Sequence, residues 1–262
     1  MTTIKGGKRL QKTDSRSQDG VAPKISVVTV VRNGAATIGQ TIESVLSQSW
    51  SNKEYIIIDG GSTDGTIDII RRFDDKIDFW ISEPDKGIFD AMNKGIESAT
   101  GDVIGILNAD DWYEPEALSK VAKTYIETNG KAVIHGMLRN FLDEQFYAVK
   151  GNSIKVLKYD MIQHPTCFIP QTIYKQFGGY NHKFRYSADY DFILKLVNHH
   201  VDFHFVETVL TNFRLGGASS TQKADLEMIE VMKRNHLISP AEAWMRKAQA
   251  RITFLAKSLL RK

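Results

Sequence analysis

ISVVTVVRNG, residues 25–34, and EYIIIDGGSTDGT, residues 54–66, decide how this chain folds. Each opens on an apolar run rich in β-branched residues and closes on polar residues and glycine. A strand with one wet face alternates apolar and polar residues. A run without alternation is covered on both faces, as in a parallel sheet between helices. Between the two runs, Ile38, Ile42, Val45 and Leu46 share one face of a helix.

The rhythm continues outward. Ile67, Ile70 and Phe73 mark a second helix, and IDFWIS, residues 77–82, a third strand. Ile88, Met92 and Ile96 fall in register on a helix from Ile88 to Ala99, which Gly101 ends before the buried run VIGIL, residues 103–107. Strand alternating with helix predicts an α/β fold with a doubly wound, mostly parallel sheet flanked by helices. Ligands of such sheets gather beyond the carboxyl ends of the strands. Here those ends read Arg32-Asn33-Gly34, Asp59-Gly60-Gly61 and Asn108-Ala109-Asp110-Asp111. Past Asp111 the pattern loosens. A helix is expected from Pro115 to about Thr128, strands at 131–138 and 145–150, and a helix near 172–177 stopped by Gly178-Gly179. Another helix starts near Asp189, a strand follows at 201–206, and the last forty residues have a helical pattern.

The chain has 262 residues, 42% hydrophobic and 25% charged, which suits one large globular domain. A net charge of +3 is too small to argue for nucleic acid. Cys167 is the sole cysteine, so no internal disulfide can form, which fits a reducing compartment. No apolar run approaches the roughly 20 residues that span a bilayer. Residues 1–22 carry charge without the apolar centre of a signal sequence and read as a solvated, disordered basic tail. A catalytic domain is expected over 23–220 and a helical extension over 221–262. On that extension Trp244, Ala248, Ile252, Leu255 and Leu259 share a stripe, flanked by Arg246, Lys247, Arg251, Lys257, Arg261 and Lys262. Such a helix lies on an anionic membrane or packs its stripe on the domain. The expectation is a cytoplasmic protein, peripheral at the inner face of the cell membrane.

Three segments carry chemistry. The pair Asp110-Asp111 follows a buried strand directly. Acids there suit a hard cation, since Mg²⁺ or Mn²⁺ takes one or two carboxylates together with phosphate oxygens. The alternative is a cap on the helix near Pro115. In residues 59–66, Asp59 can accept from a base or ribose, while Ser62, Thr63 or Asp64 can cap the next helix. In EPDKGIFDAMNKG, residues 83–95, Asp90 and Lys94 form a solvated i,i+4 pair or, at a helix start, a pyrophosphate or sugar contact.

The segments TVVRNG, EYIIIDGGSTDGT, SEPDKGIFDAMNKG and GILNADD, in this order and spacing, resemble the family 2 glycosyltransferases of the GT-A fold. The likeness is to bacterial enzymes that build O-antigen, colanic acid and other surface polysaccharides, and it spans about residues 24–220. It implies inverting transfer from a nucleotide sugar, a UDP-sugar favoured, to a saccharide or lipid-linked saccharide acceptor. It implies a donor site of Thr29, Val30, Asn33, Asp59, Asp90, Asn108 and Asp110, with Asp59 reading the base. Asn108 stands where the family's acidic metal motif begins, leaving Asp110 as ligand with Asp111 sharing the role. In SADYDF, residues 187–192, Asp189 matches the general base, and Ala188 stands where an acidic partner is common. The resemblance also puts His164 near the acceptor, and Arg214 with the loop 216–220 is a candidate to close over the diphosphate. Three alternatives stand beside this reading: Asp189 as a mere helix-terminal acid, a sugar nucleotidyltransferase, and a non-catalytic nucleotide-sugar-binding module. A nucleotidyltransferase needs a Gly/Arg-rich loop after the first strand, whereas RNGAATIG has one arginine.

Overall fold

A computed structural model describes residues 3–10, 22–157, 160–216 and 221–259, with side chains through Phe254. The chain opens on a short strand, β1 (Ile4–Gly6). The expected alternation follows as β2 (Ile25–Val31), α1 (Ile38–Leu46), β3 (Lys53–Asp59), α2 (Thr66–Arg71), β4 (Phe79–Ser82), α3 (Ile88–Ser98) and β5 (Val103–Asn108). Every residue of β2 is buried. It lies between β3 and β5, parallel to both, with Val31 opposite Asp59 and Val30 opposite Asn108. β4 continues the parallel set with Ser82 opposite Asp59. The register therefore aligns Arg32, Asp59, Ser82 and Asn108 along one end of the sheet.

Alternate residues of these strands feed two cores. Val28, Val30, Ile56, Ile58, Ile104 and Ile106 pack on one face, and Ile25, Val27, Ile57, Val103 and Leu107 on the other. The inward side of α3 is centred on Phe89 and Met92, whereas Ile88, expected in that stripe, is exposed. Gly95 lets the helix press on β2, because a Cβ there would strike Val28.

Beyond β5 the sheet is mixed. Next come β6 (Trp112–Tyr113), α4 (Ala117–Glu127), β7 (Val133–Leu142), β8 (Gln145–Lys150) and β9 (Phe168–Pro170). They are followed by α5 (Gln171–Phe177), α6 (Ala188–Asn198), β10 (Phe203–Arg214), α7 (Gln222–Arg234) and α8 (Pro240–Leu259). The strand order is β1-β4-β3-β2-β5-β9-β7-β10-β6, with β8 on β7. β9 is antiparallel to both β5 and β7, and β10 is parallel to β7. Two reversals return β7 and β10 to the direction of β5, so Arg214 ends at the same end of the sheet as Asn108. The sequence predicts only the first part of β10. Register shifts between Val206 and Thr211 break the alternation by which its continuation would be recognised.

Residues 3–10 correct the expectation of a solvated tail. β1 pairs antiparallel with β4 at the sheet edge. Arg9 donates to the Ser98 carbonyl at 2.8 Å and forms an ion pair with Glu54, a buried residue of β3. Glu54 also accepts from the Ser26 hydroxyl and from the N–H groups of Thr100 and Gly101, and Lys24 Nζ lies 3.1 Å away. A buried carboxylate demands partners, and the basic segment supplies one. Residues 11–21 lie outside the described residues.

Removing this acid strands several buried donors. Glu54→Ala is expected to lower the unfolding free energy by about 3–5 kcal/mol in urea titration. Arg9→Ala should cost less, about 1–2 kcal/mol, because Lys24 remains close to the carboxylate. An unchanged urea midpoint for Glu54→Ala would show that the network holds nothing.

Candidate active site

The turn after β3 is built on Asp59. This carboxylate is fully buried and accepts from Gly61 N at 3.0 Å, Ser62 N at 2.9 Å and Ser82 Oγ at 2.6 Å, and also from the Ser62 hydroxyl. It therefore shapes the turn and ties β4 to it. Asn33, with φ of +54°, closes the adjoining loop. Its N–H donates to Ser62 Oγ at 2.7 Å, and its Oδ1 accepts from Thr63 N at 2.9 Å. Asp64 accepts from Ala35 N at 3.0 Å and from Thr66 N at 3.1 Å, and these bonds with the Thr66 hydroxyl hold its carboxyl below the usual range. A Cβ on Gly60 would strike the Asp85 carboxylate, so the loops after β3 and β4 touch.

Two expected donor residues are placed inside the sheet. Thr29 is fully buried and accepts from the Tyr55 hydroxyl at 3.1 Å, and Val30 packs in the core. Of that trio only Asn33 reaches the exposed end. Asp90 accepts from Lys86 N at 3.0 Å and lies 3.8 Å from Lys94, which sits 2.7 Å from Glu83. Asp90 thus closes the loop ahead of α3.

The acidic turn after β5 is different, because two of its side-chain oxygens make no hydrogen bond. Asn108 Oδ1 and Asp111 Oδ2 are both buried without a hydrogen bond. Asp111 Oδ1 accepts from Arg214 N at 3.2 Å, and the Asn108 side chain also interacts with the Asp111 carboxyl. Burial, then the neighbouring Asp110, push the Asp111 carboxyl well above its ordinary value, and burial raises Asp110 too. Neither acid caps α4, whose preceding residue is Glu116. Buried polar atoms are nearly always paired, so two orphaned oxygens beside a raised carboxyl form a donor set that fits a hard divalent cation. Among the described residues no cluster of three His, Cys, Asp or Glu could hold a metal. A cation bound at this turn would draw on Asp110, Asp111 and the Asn108 amide oxygen.

Arg214, the last residue of β10, braces that turn. Its guanidinium donates to Asp110 O at 2.5 Å, Gln40 Oε1 at 2.5 Å and Glu144 Oε1 at 2.7 Å, and lies 4.6 Å from the Trp112 ring centre. The sequence puts it on a mobile closing loop. It is tied to the acidic turn instead, and residues 217–220 lie outside the described residues.

His164 and Asp189 form a second focus. His164 is buried, its Nε2 2.9 Å from the Tyr180 hydroxyl, and burial lowers its pKa while Asp189 opposes that shift. Tyr180 Oη lies 3.1 Å from Tyr174 Oη, and both backbone groups of Tyr180 bond at 2.8 Å to the Asn93 side chain. Asp189, in the first turn of α6, keeps some exposure, yet burial raises its carboxyl above the usual range, with His164 drawing it back. Asp191 Oδ1 accepts from Asn235 at 3.3 Å, which ties α6 to the end of α7. Sequence reasoning missed Tyr180, Gln40 and Glu144. Only Tyr180 leaves a trace there, as an aromatic directly after the Gly178-Gly179 stop.

Comparison with known proteins joins this geometry to chemistry. The family model described as Glycosyl transferase family 2 matches residues 26–194. The PGL/p-HBAD biosynthesis glycosyltransferase of Mycobacterium bovis is 27% identical over 214 residues, 80% of this chain and 84% of that protein. An uncharacterized glycosyltransferase of Mycobacterium tuberculosis is 31% identical over 183 residues, 66% of this chain and 69% of its own. Among solved structures, the mannosyltransferase PcManGT from Pyrobaculum calidifontis, in complex with GDP-Man and Mn²⁺, superposes with a TM-score of 0.67 at 15% identity, covering 96% of this chain and 80% of that one. S. aureus TarS 1-349 in complex with UDP-GlcNAc gives 0.65 at 16% identity, covering 87% of this chain and 71% of that one. These two likenesses establish the fold.

An unpaired buried carboxylate oxygen opposes folding. Asp111→Asn keeps the shape and removes the charge, so it is expected to stabilise the metal-free protein by about 1 kcal/mol, the lower end of the cost of such a group. It should also abolish the rise in melting temperature produced by UDP with Mn²⁺. A less stable Asn variant that still responds to Mn²⁺ would remove Asp111 from the ligand set.

Proposed function

This chain belongs to glycosyl transferase family 2, and we propose that it transfers a sugar from a UDP-sugar to an acceptor hydroxyl with inversion at the anomeric carbon. The observation that carries the reading is the pair of acidic foci: orphaned oxygens at Asn108 and Asp111, and a raised carboxyl at Asp189 beside His164. In this reading the nucleoside lies over the loops that Asn33 and Asp59 organise. The diphosphate lies towards Asp110, Asp111 and Arg214. Mg²⁺ or Mn²⁺ held by Asp110 and Asp111 would neutralise charge on the diphosphate. Asp189 takes the proton from the acceptor hydroxyl, whose oxygen then forms the bond to the anomeric carbon from the side opposite the nucleotide. The bond to the phosphate oxygen breaks and its electron pair leaves with the diphosphate. Burial keeps His164 neutral, and its bond to Tyr180 fixes its ring beside the base. The donor-bound neighbours and the family match support this class of reaction over a nucleotidyltransferase or a passive binding module.

We assign the acceptor to lipid-linked saccharides of a surface polysaccharide, met at the inner face of the cell membrane. What supports this is α8. Among the described residues no helix is long and apolar enough to cross a membrane. α8 packs on α7 through buried Ala243 and through Lys247 Nζ, 2.6 Å from Glu230. Its apolar residues face outward instead, with Trp244 73% and Ile252 67% exposed. Leu255, Lys257, Leu259, Arg261 and Lys262 fall outside the described side chains.

Two expectations follow from this assignment. Asp189→Asn should lower kcat by roughly 10²–10⁴-fold with UDP affinity unchanged. Activity needs the deprotonated carboxylate, and burial raises its pKa, so kcat/KM should fall on acidification while the pH is still above the ordinary carboxylate range. A parental turnover in the Asn variant would transfer the role to another group. In vesicle sedimentation, the full chain should bind anionic vesicles at low salt and release them as salt rises. The double variant Trp244→Ala, Ile252→Ala should lose about tenfold of that binding while donor hydrolysis is retained. Indifference to anionic vesicles at low salt would rule the membrane assignment out.

A further inference from the structure

The segment that leads into α6 is held by a carboxylate from another helix. The consecutive N–H groups of Arg185, Tyr186 and Ser187 converge on Glu227 of α7, at 3.0, 2.6 and 2.8 Å. Successive backbone N–H groups around one anion make a strong, directional clamp. Ser187 precedes the first residue of α6 and makes no side-chain cap of its own. The anion at the positive end of this helix is thus Glu227, supplied some forty residues further along the chain. Neighbouring contacts extend the grip. The Arg234 guanidinium lies 5.5 Å from the Phe184 ring centre, and Asn235 donates to Asp191 at 3.3 Å. The segment from Phe184 to Asp191 is therefore registered on α7 on both sides of Asp189.

We infer that Glu227 is a positioning residue that aims Asp189 at the acceptor, by fixing the backbone two residues ahead of it. This rests on Asp189 being the base, as proposed above. Asp189 lies on the rigid first turn of α6, so its carboxylate follows the entry angle of that turn. A shift of about 1 Å in a reacting group is enough to cost about 10²-fold in rate. The titratable groups facing Asp189 are His164 and Cys167 from the segment around β9, Tyr180 from the turn after α5, and Glu227 itself.

The test uses the full chain, UDP binding by calorimetry with Mn²⁺, and turnover of whichever member of a UDP-sugar panel reacts fastest. Glu227→Gln keeps size but puts an amide against the three N–H groups. It should lower kcat about 10- to 100-fold and leave UDP affinity within about twofold. Glu227→Asp, with its charge retained, should recover part of the loss. Glu227→Gln combined with Asp189→Asn should be no slower than Asp189→Asn alone, because an aimed base that is absent cannot be misaimed. Loss of the negative charge facing Asp189 should also move the acid limb of the pH profile of Glu227→Gln to lower pH. The inference is overturned if Glu227→Gln turns over within about twofold of the parent, if the two substitutions multiply, or if UDP affinity falls in step with kcat. If the Gln variant does not fold, Glu227→Asp decides through the double variant: any loss of kcat it causes should vanish in the Asp189→Asn background, and a loss that multiplies there overturns the inference. Parental turnover by Asp189→Asn would instead sink the base assignment, whatever Glu227 does.

Discussion

The central parallel strands are covered on both faces, and the rest of the molecule follows from that constraint. β2 has no exposed residue. A polar side chain inside such a sheet must find a partner there, as Thr29 finds Tyr55. Groups meant for a ligand are displaced to the strand ends, where the backbone leaves the ladder and side chains meet solvent. The parallel register then does the assembling. Because β2, β3, β4 and β5 run the same way, all their carboxyl ends come to one side. The two reversals through β9 bring the end of β10 to that side as well, which is why Arg214 can reach the turn after β5.

Buried acids in this molecule divide by how well they are satisfied. Glu54 has Arg9, Lys24, Ser26, Thr100 and Gly101 around it, and Asp59 has two N–H groups and two hydroxyls. One anchors the first strand, and the other shapes a turn. Asp111 is equally buried, but its Oδ2, like the nearby Asn108 Oδ1, makes no hydrogen bond. Folding alone does not account for such an arrangement.

The second half of the chain builds the His164–Asp189 cluster from contacts between remote segments. Asn93 of α3 grips Tyr180, Tyr180 orients His164, and α7 holds the approach to α6. None of these elements would stay in place by its own local preferences. α8 departs from this inward logic. Its small and basic residues meet α7, and its large apolar residues point away from the protein.

The fold was legible in the sequence because an apolar run without alternation has one physical meaning, and four such runs separated by helical periods have one arrangement. Asp110 and Asp111 stood out because they directly follow a buried strand, where a polar side chain can be exposed, and Asp189 was singled out by the family resemblance. The sequence by itself therefore determined the class of sheet, the end of the sheet that carries function, and the family resemblance that the wider comparison bears out. Tertiary structure alone decided what each acid does there. Asp59 and Asp111 each follow a buried strand in the sequence, and only the structure shows that one carboxylate is fully paired while the other keeps an oxygen without a hydrogen bond. Residues 3–10 read as tail because their partner, Glu54, is a charge buried elsewhere. Glu227 left no trace because its partners are backbone N–H groups, which every residue but proline carries and no sequence displays.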